Sequence, residues 1–460
     1  MFGEDFLRQY KDFIESEYNS YLRLSLSDKE NIIEKLHAKG VELQQVEGVP
    51  GAFKIISGAD IAGKTIEFIL GKYYIQSLSS MIPALVLSPS EHDTTLDLCA
   101  APGSKTTQLA SLMNNRGTLY ANEVSVDRVK SLVFNIDKMN LVNLGVIKYK
   151  GELLSTIFEN RFDKILVDAP CSALGIVQKK GEVSNWWNLK QAEKIAELQL
   201  RLLISAIKML KVGGEIVYST CTLTMEENEL VINKALKNYP VELMDIELPV
   251  KSIPGFTKFG DNQLNTDLQK TRRIIPWEIQ SEGFFICKLT KTGETGATRK
   301  GSFPPRNIKL LSHSNQNIKK YLNDIHRHFE IPFDILNDYK YIMKGNDLYF
   351  VNSDWETNNP DAFLRIGIHF GIVDKRGNAH LHTHAAQHFS NVISKNTLEL
   401  ENLDELDVYF NGGTIKRSFE PFGQKLVIYD GLALGTAIAT SDGIKSQFPR
   451  AFRTQEIILK

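Results

Sequence analysis

The chain has 460 residues, 42% hydrophobic and 24% charged, an ordinary globular balance that allows a sizeable core in roughly two to four domains. With 54 basic and 55 acidic residues the formal net charge is −1, so overall charge lends nothing to nucleic-acid binding and a phosphate-binding surface has to be a local patch. Its four cysteines, Cys99, Cys171, Cys221 and Cys287, show no CxxC spacing, which argues against a zinc knuckle and a disulfide framework.

At the N-terminus Phe2, Phe6, Tyr10 and Phe13 recur at intervals of three and four, which predicts a helix over 2–18. The segment is acidic and lacks the basic start and apolar core of a signal peptide. A second helical pattern covers 28–39, and short strands complete a mixed region to residue 92. The apolar run Met81–Leu87 is far too short to span a bilayer. A soluble cytoplasmic protein with free thiols and no membrane partner is expected.

From about 93 to 240, apolar runs alternate with helical stretches. Strands are predicted at 94–99, 117–123, 144–149, 164–170 and 214–220, and helices at 104–113, 125–139 and 191–210. That rhythm is a parallel sheet wrapped by helices, an α/β, Rossmann-like fold. A further edge strand is expected at 283–291. The Gly-, Pro- and Thr-rich stretch 292–307 reads as a linker. Beyond it, alternating segments at 347–353, 364–374, 407–413, 424–431 and 432–443 suggest a β-rich C-terminal module.

Three motifs carry chemistry. In LDLCAAPGSKTTQLA (96–110) an apolar strand ends at Asp97 and Cys99. A small-residue turn, Ala100-Ala101-Pro102-Gly103, then opens a helix near Ser104 and Lys105. Small residues admit a ligand close to the backbone, and the helix start presents free N–H groups. At the carboxyl end of a parallel strand this is a nucleotide site, and Glu123, after the next strand, is placed for a ribose diol. A phosphate loop is excluded, because there is no GxxxxGK[ST]. In FDKILVDAPCSALG (162–175) a buried strand ends in Asp168, with Cys171 at its tip. In GGEIVYSTCTLTMEENE (213–229) Cys221 follows another strand, and Thr224 to Glu227 reads as the start of a capped helix. Each cysteine alone reads equally well as a buried apolar residue. Together they converge on one cleft beside a bound nucleotide.

The sequences DLCAAPGSKT, DAPCS and YSTCT…EENE resemble the RNA cytosine-5 methyltransferases of the Nol1/Nop2/Sun type, over about 70–291. The stretches 364–376 and 422–435 resemble the tail of the bacterial small-subunit rRNA methyltransferase F type, which carries a PUA-like RNA-binding module. The resemblance implies a Rossmann-like methyltransferase domain at 93–291, with S-adenosyl-L-methionine as cofactor. An N-terminal α+β RNA-binding subdomain (1–92) would precede it. A linker (292–305) and a C-terminal region (306–460), with the PUA-like module at about 400–460, would follow.

Carbon 5 of cytosine is a poor nucleophile, and a thiolate adding at carbon 6 makes it enamine-like. The resemblance gives that attack to Cys221, and release of the carbon-5 proton and of the product to Cys171. Asp168 would hold the N3/amino edge of the base and border the cofactor. Cys99, Ala100, Ala101, Pro102, Gly103, Ser104, Lys105, Glu123 and Arg128 would hold the cofactor, with no metal. Ribosomal RNA is the expected partner and transfer RNA the alternative, on a chain of unspecified oligomeric state for which a monomer suffices. An idle RNA-binding ribosome-assembly factor on the same fold is the competing class. DNA methylation is disfavoured by the lack of a Pro-Cys-Gln loop.

The family usually has Cys-Ser-Gly where this chain has Cys171-Ser172-Ala173, and an acidic residue near the adenine where it has Lys150-Gly151-Glu152. His380, His382, His384 and His388 cluster. The first three suit one strand face, and one strand cannot close a tetrahedral metal site. Lys179, Lys180, Trp186 and Trp187 suit RNA contact or helix packing equally. Lys416 and Arg417 suit RNA contact or a solvated face.

Overall fold

Alternation of apolar runs with amphipathic helices builds the expected parallel sheet. In the computed structural model, which describes residues 3–25, 28–176, 189–296, 300–453 and 456–458, its strands are β1 (Thr94–Asp97), β2 (Thr118–Asn122), β3 (Leu144–Ile147), β4 (Phe162–Asp168) and β5 (Leu210–Thr220). They lie parallel in the order β5-β4-β1-β2-β3. Every residue of β2 and β3 is buried, as strands covered on both faces require. Helices α1 (Ser104–Leu112), α2 (Val126–Lys138) and α3 (Leu189–Met209) make the crossovers, and α4 (Glu229–Asn238) follows β5. The strand order reverses between β1 and β4, so their carboxyl ends open the crevice where doubly wound sheets bind ligands.

Antiparallel strands extend this core at both edges. β6 (Phe284–Lys291) runs against β5, with Phe285 opposite Thr220. β7 (Phe363–Ile366) pairs with β3 at the other edge. The boundary expected at 292–305 therefore divides neither the sheet nor the core. Phe303 packs edge-on against Tyr149 at 4.9 Å, and Gly301 N–H donates to Thr156 O at 2.9 Å. Trp355 is fully buried, its indole N–H 3.4 Å from Leu119 O in β2. Gly145 in β3 permits this closure, since a Cβ there would lie 2.6 Å from both Phe363 and Trp355. Burying an indole contributes at most about 4–6 kcal/mol.

Ahead of the core, residues 21–75 form a four-stranded antiparallel sheet, flanked by helices Glu4–Glu15 and Lys29–Ala38. Arg23 reaches from it to Thr107 Oγ1 of α1 at 2.9 Å. Met81–Leu87 belongs to the buried helix Leu78–Leu87. Among the described residues, no helix is long and apolar enough to cross a membrane.

Beyond β6, a four-stranded sheet spans 339–381 and a five-stranded one spans 397–446. Two expectations are corrected there. The run 364–374 is two strands parted at Gly367, which adopts φ +65°. The segment 407–413 is no strand, for its apolar residues end the helix Leu403–Phe410, where Leu406, Tyr409 and Phe410 face the core. Asn402 caps that helix by accepting Glu405 N–H at 3.0 Å.

Candidate active site

Both cysteine motifs and the small-residue turn meet at the crevice. After β1 the chain turns through Cys99–Gly103, and Gly103 adopts φ +112° just before α1. A Cβ at Gly103 would press within 3.2 Å of Leu132 in α2, so only glycine lets the turn pass. Asp97 is 1% exposed and accepts Thr106 Oγ1–H at 2.7 Å on Oδ2, while its Oδ1 has no hydrogen-bond partner among the described residues. Burial pushes its carboxyl up to about 7. Glu123, 3% exposed, accepts Ser125 N–H at 2.9 Å and lies 3.2 Å from Arg128 Nη1. Arg128 also donates to Ala101 O, so it braces the turn.

Asp168 ends β4. It accepts Ser219 Oγ–H from β5 at 2.7 Å and lies 2.8 Å from Lys105 Nζ. Lys105 is 7% exposed, donates to Ser80 Oγ at 2.8 Å and sits 5.1 Å over the Phe284 ring. Burial pulls its pKa down, but Asp168 outweighs burial and the net shift is upward. Lys105, just past the small-residue turn, thus faces the carboxylate and links the two motifs.

Cys171 and Cys221 stand with their sulfurs 3.1 Å apart, both half-buried. The hydrogen bond with Cys171, then burial, then the charges of Cys171, Asp168 and Glu282, raise Cys221 well above the ordinary thiol range. Its resting form is the thiol. Burial likewise raises Cys99 and Cys287.

Glu227 locks the two cysteine loops together. Its fully buried carboxylate accepts from Ser172 N–H at 2.9 Å, Gln199 Nε2 at 3.0 Å and Thr224 Oγ1 at 3.2 Å, and also from Ser172 Oγ. The helix expected to start at Thr224 begins only at Glu229, because Glu227 turns back toward Ser172 instead of capping. Sequence reading missed Glu227 as a site residue. The one signal was the EENE run itself, and spacing alone does not tell which acid points inward. Ala173 follows with φ +60°, so the left-handed turn persists although the residue is alanine.

The sequence profile described as 16S rRNA methyltransferase RsmB/F matches residues 84–290. Ribosomal RNA small subunit methyltransferase F of Shewanella piezotolerans is 31% identical over 434 residues, 93% of this chain and 89% of that protein. The chain belongs to the RsmB/F family of RNA cytosine-5 methyltransferases. A mouse 28S rRNA (cytosine-C(5))-methyltransferase is 40% identical over 50% of this chain, which spans 29% of that protein's length. A tRNA (cytosine(49)-C(5))-methyltransferase of Pyrococcus abyssi is 35% identical over 56% of this chain and 83% of its own. A methyltransferase homolog of known structure from Pyrococcus horikoshii covers 63% of this chain and 95% of its own, at TM-score 0.55 and 29% identity.

The cofactor of this RsmB/F chain is S-adenosyl-L-methionine. The residues fit it. Asp97 offers a buried acceptor with no partner among the described residues, and Glu123 has acceptor capacity left for a diol.

The remaining candidates fare differently. Gly151 is buried, and a Cβ there would lie 2.7 Å from Leu202 of α3, while Glu152 is half-buried at the start of a 3-10 turn. Arg417 pairs with Glu401 and with Glu405 at 3.1 Å, so its charge is spent locally, and Lys416 is exposed. Lys179, Lys180, Trp186 and Trp187 lie outside the described residues. The histidines do not share a strand face, because the strand ends at Leu381, His382 caps a helix and His384 sits inside it. Among the described residues, no three His, Cys, Asp or Glu side chains are placed to hold a metal ion.

Proposed function

We propose that this chain methylates carbon 5 of a cytosine in ribosomal RNA, with Cys221 as the nucleophile. The observation that carries the reading is the 3.1 Å approach of the Cys171 and Cys221 sulfurs at the strand ends, beside Asp168 and Lys105. Support for ribosomal RNA is the likeness that runs through 93% of the chain, C-terminal region included, against 56% for the transfer RNA relative. Cytoplasm is the compartment this substrate implies.

The Cys221 thiol gives its proton to the Asp168 carboxylate as its sulfur bonds to carbon 6, so the 5,6 double bond opens and carbon 5 becomes nucleophilic. Asp168, oriented by Ser219 and Lys105, holds the N3/amino edge of the base and hands that proton to N3 as electron density builds there. The cofactor, resting on Cys99–Lys105, Glu123 and Arg128, supplies the methyl group. Cys171 takes part in removing the carbon-5 proton, the double bond re-forms, and the Cys221–carbon 6 bond breaks. The target base leaves its stack to reach the crevice, or is already unpaired. The N-terminal sheet and the five-stranded C-terminal sheet, read as PUA-like, add RNA-binding surface.

Labelled S-adenosylmethionine with ribosomal RNA, assembled subunits and transfer RNA tests this with wild type, Cys221→Ala and Cys171→Ala. Wild type transfers label, Cys221→Ala does not, and Cys171→Ala accumulates a covalent protein–RNA adduct. An adduct from Cys221→Ala would reverse the two roles. Label in transfer RNA alone would move the target, and no transfer by wild type would leave the assembly-factor reading.

A further inference from the structure

Away from the cysteines, a cleft of 850 Å³ opens between α2 and the C-terminal segments. A volume of that size is ample for a small flat ligand. Tyr349, Arg365, His369, His382, His384 and Phe452 line it opposite α2. Five of these are rings in an unbroken series. Tyr349 stacks on His369 at 5.0 Å and 22°, His369 lies 4.4 Å from His382, and His382 lies 4.8 Å from His384. His384 then lies 5.5 Å from Phe452, which stacks on Phe134 of α2 at 4.5 Å.

The cleft offers rings and hydrogen bonds rather than charge. Arg365 is committed to Asp137, with Nη1 donating to Oδ2 at 2.8 Å, and both side chains are largely buried. Lys130 at the rim pairs with Asp127 at 2.9 Å. Burial lowers the pKa of His369, His382 and His384, so these rings are neutral near neutral pH, each with one donor and one acceptor. His382 Nδ1 accepts His384 N–H at 3.3 Å, which assigns its proton to Nε2. His384 is 4% exposed, and its Nδ1 is buried with no hydrogen-bond partner among the described residues.

An acidic peptide or a phosphate needs a spare cation, and Arg365 is not spare. A flat, neutral, hydrogen-bonding ring matches the wall. We propose that this cleft binds an unpaired nucleobase of the substrate RNA, outside the catalytic crevice. The inference rests on the chain being an RNA methyltransferase, and it does not depend on which RNA is the target. Asn135 lines the cleft and donates to Pro102 O of the candidate cofactor turn at 2.9 Å, so a base here sits one residue away from that turn. Base-on-ring stacking is the usual means of holding single strands.

The test uses the full chain and single-stranded oligoribonucleotides containing 4-thiouridine. Near-ultraviolet cross-links should map to Tyr349, His382–His384 or Phe452. Ser131→Trp fills the cleft from an exposed position on α2, and His382→Ala removes one ring. Ser131→Trp should raise the KM for RNA about tenfold, with kcat, S-adenosylmethionine affinity and melting temperature unchanged. His382→Ala should weaken RNA binding in the same sense. Should it fail to fold, Ser131→Trp alone decides. Cross-links confined to the cysteine crevice, with unchanged RNA affinity in the folded variants, would overturn the proposal. So would unchanged transfer to free RNA with loss only on assembled particles, which would mark the cleft as a protein's docking site. Cross-links in the cleft without methyl transfer by wild type would uphold the cleft and sink the enzymatic reading.

Discussion

Glu227 offers the sharpest perturbation of the site, because it touches no substrate and yet holds the Cys171 loop. Its carboxylate takes two N–H donors on Oε2, from Ser172 at 2.9 Å and Gln199 at 3.0 Å, and two hydroxyls on Oε1. In Glu227→Gln the new amide nitrogen settles on the Oε1 side, where the hydroxyls of Ser172 and Thr224 can rotate to accept. The two N–H bonds survive but lose their charge assistance, about 1 kcal/mol each, so stability falls by about 2 kcal/mol. Glu227→Ala leaves both N–H groups buried and unpaired and opens a void, a loss of about 3–5 kcal/mol. Catalysis suffers through Cys171. Its sulfur is 3.1 Å from Cys221, and a shift of about 1 Å in a reacting group can cost about a hundredfold in rate. Urea unfolding measures the first effect. Single-turnover transfer, with the protein–RNA adduct followed on denaturing gels, measures the second. Glu227→Ala should lower kcat about 10- to 100-fold with unchanged S-adenosylmethionine affinity, and the adduct should persist because release is slowed, whereas Glu227→Gln, which keeps both N–H bonds, should lose less. A folded Glu227 variant with wild-type kcat and no lingering adduct would refute the reasoning.

Three further outcomes are expected. Ala173→Gly relieves a left-handed alanine at φ +60°; the relief of about 1–2 kcal/mol less the added flexibility of glycine gives a net gain of about 0.5–1 kcal/mol in urea unfolding. Lys138 is 4% exposed beneath the Phe68 ring, and burial lowers its pKa from 10.5 to about 7. Between about pH 7 and 10 the unfolded chain then holds a proton that the folded chain has lost, so stability rises with pH through that window. Below about 7 both states are protonated and the full penalty, a few kcal/mol, applies. Lys138→Met should flatten this slope in unfolding curves at pH 6, 7, 8 and 9. Cys221 is held up first by its hydrogen bond with Cys171. Its alkylation by iodoacetamide should therefore accelerate with rising pH, and Cys171→Ala should shift the profile to lower pH. An unshifted profile would mean that burial alone sets the thiol.

What the residues announce depends on the range of the interactions involved. The parallel core was legible because its signal is local: each apolar run is one strand, and each strand-end motif lies within a few residues of the strand that aims it. That is why the chain alone brings Asp168, Cys171 and Cys221 to one cleft. The contacts that complete the site and the sheet join distant residues. Glu227 meets Ser172 across 55 positions, and β7 closes on β3 from more than two hundred residues away. In neither case does the local pattern name the partner. The helix Leu403–Phe410 misled for a related reason. Its buried Leu406, Tyr409 and Phe410 crowd the last turn, and read without the Asn402 cap they look like a strand. Ala173 shows what such distant contacts accomplish. Judged from the chain alone, alanine in place of glycine puts the loop geometry in question. In the folded protein the loop is gripped on both sides of it, at Ser172 by Glu227 and at Gly175, whose N–H donates to Cys221 O and whose carbonyl accepts Gly283 N–H, each at 2.9 Å. A residue in an unfavourable conformation persists when its surroundings over-determine it. The strain is carried by contacts that also fix Cys171 against Cys221, so relieving it at Ala173 should stabilise the protein without moving the sulfurs, whereas releasing Glu227 should do the opposite on both counts.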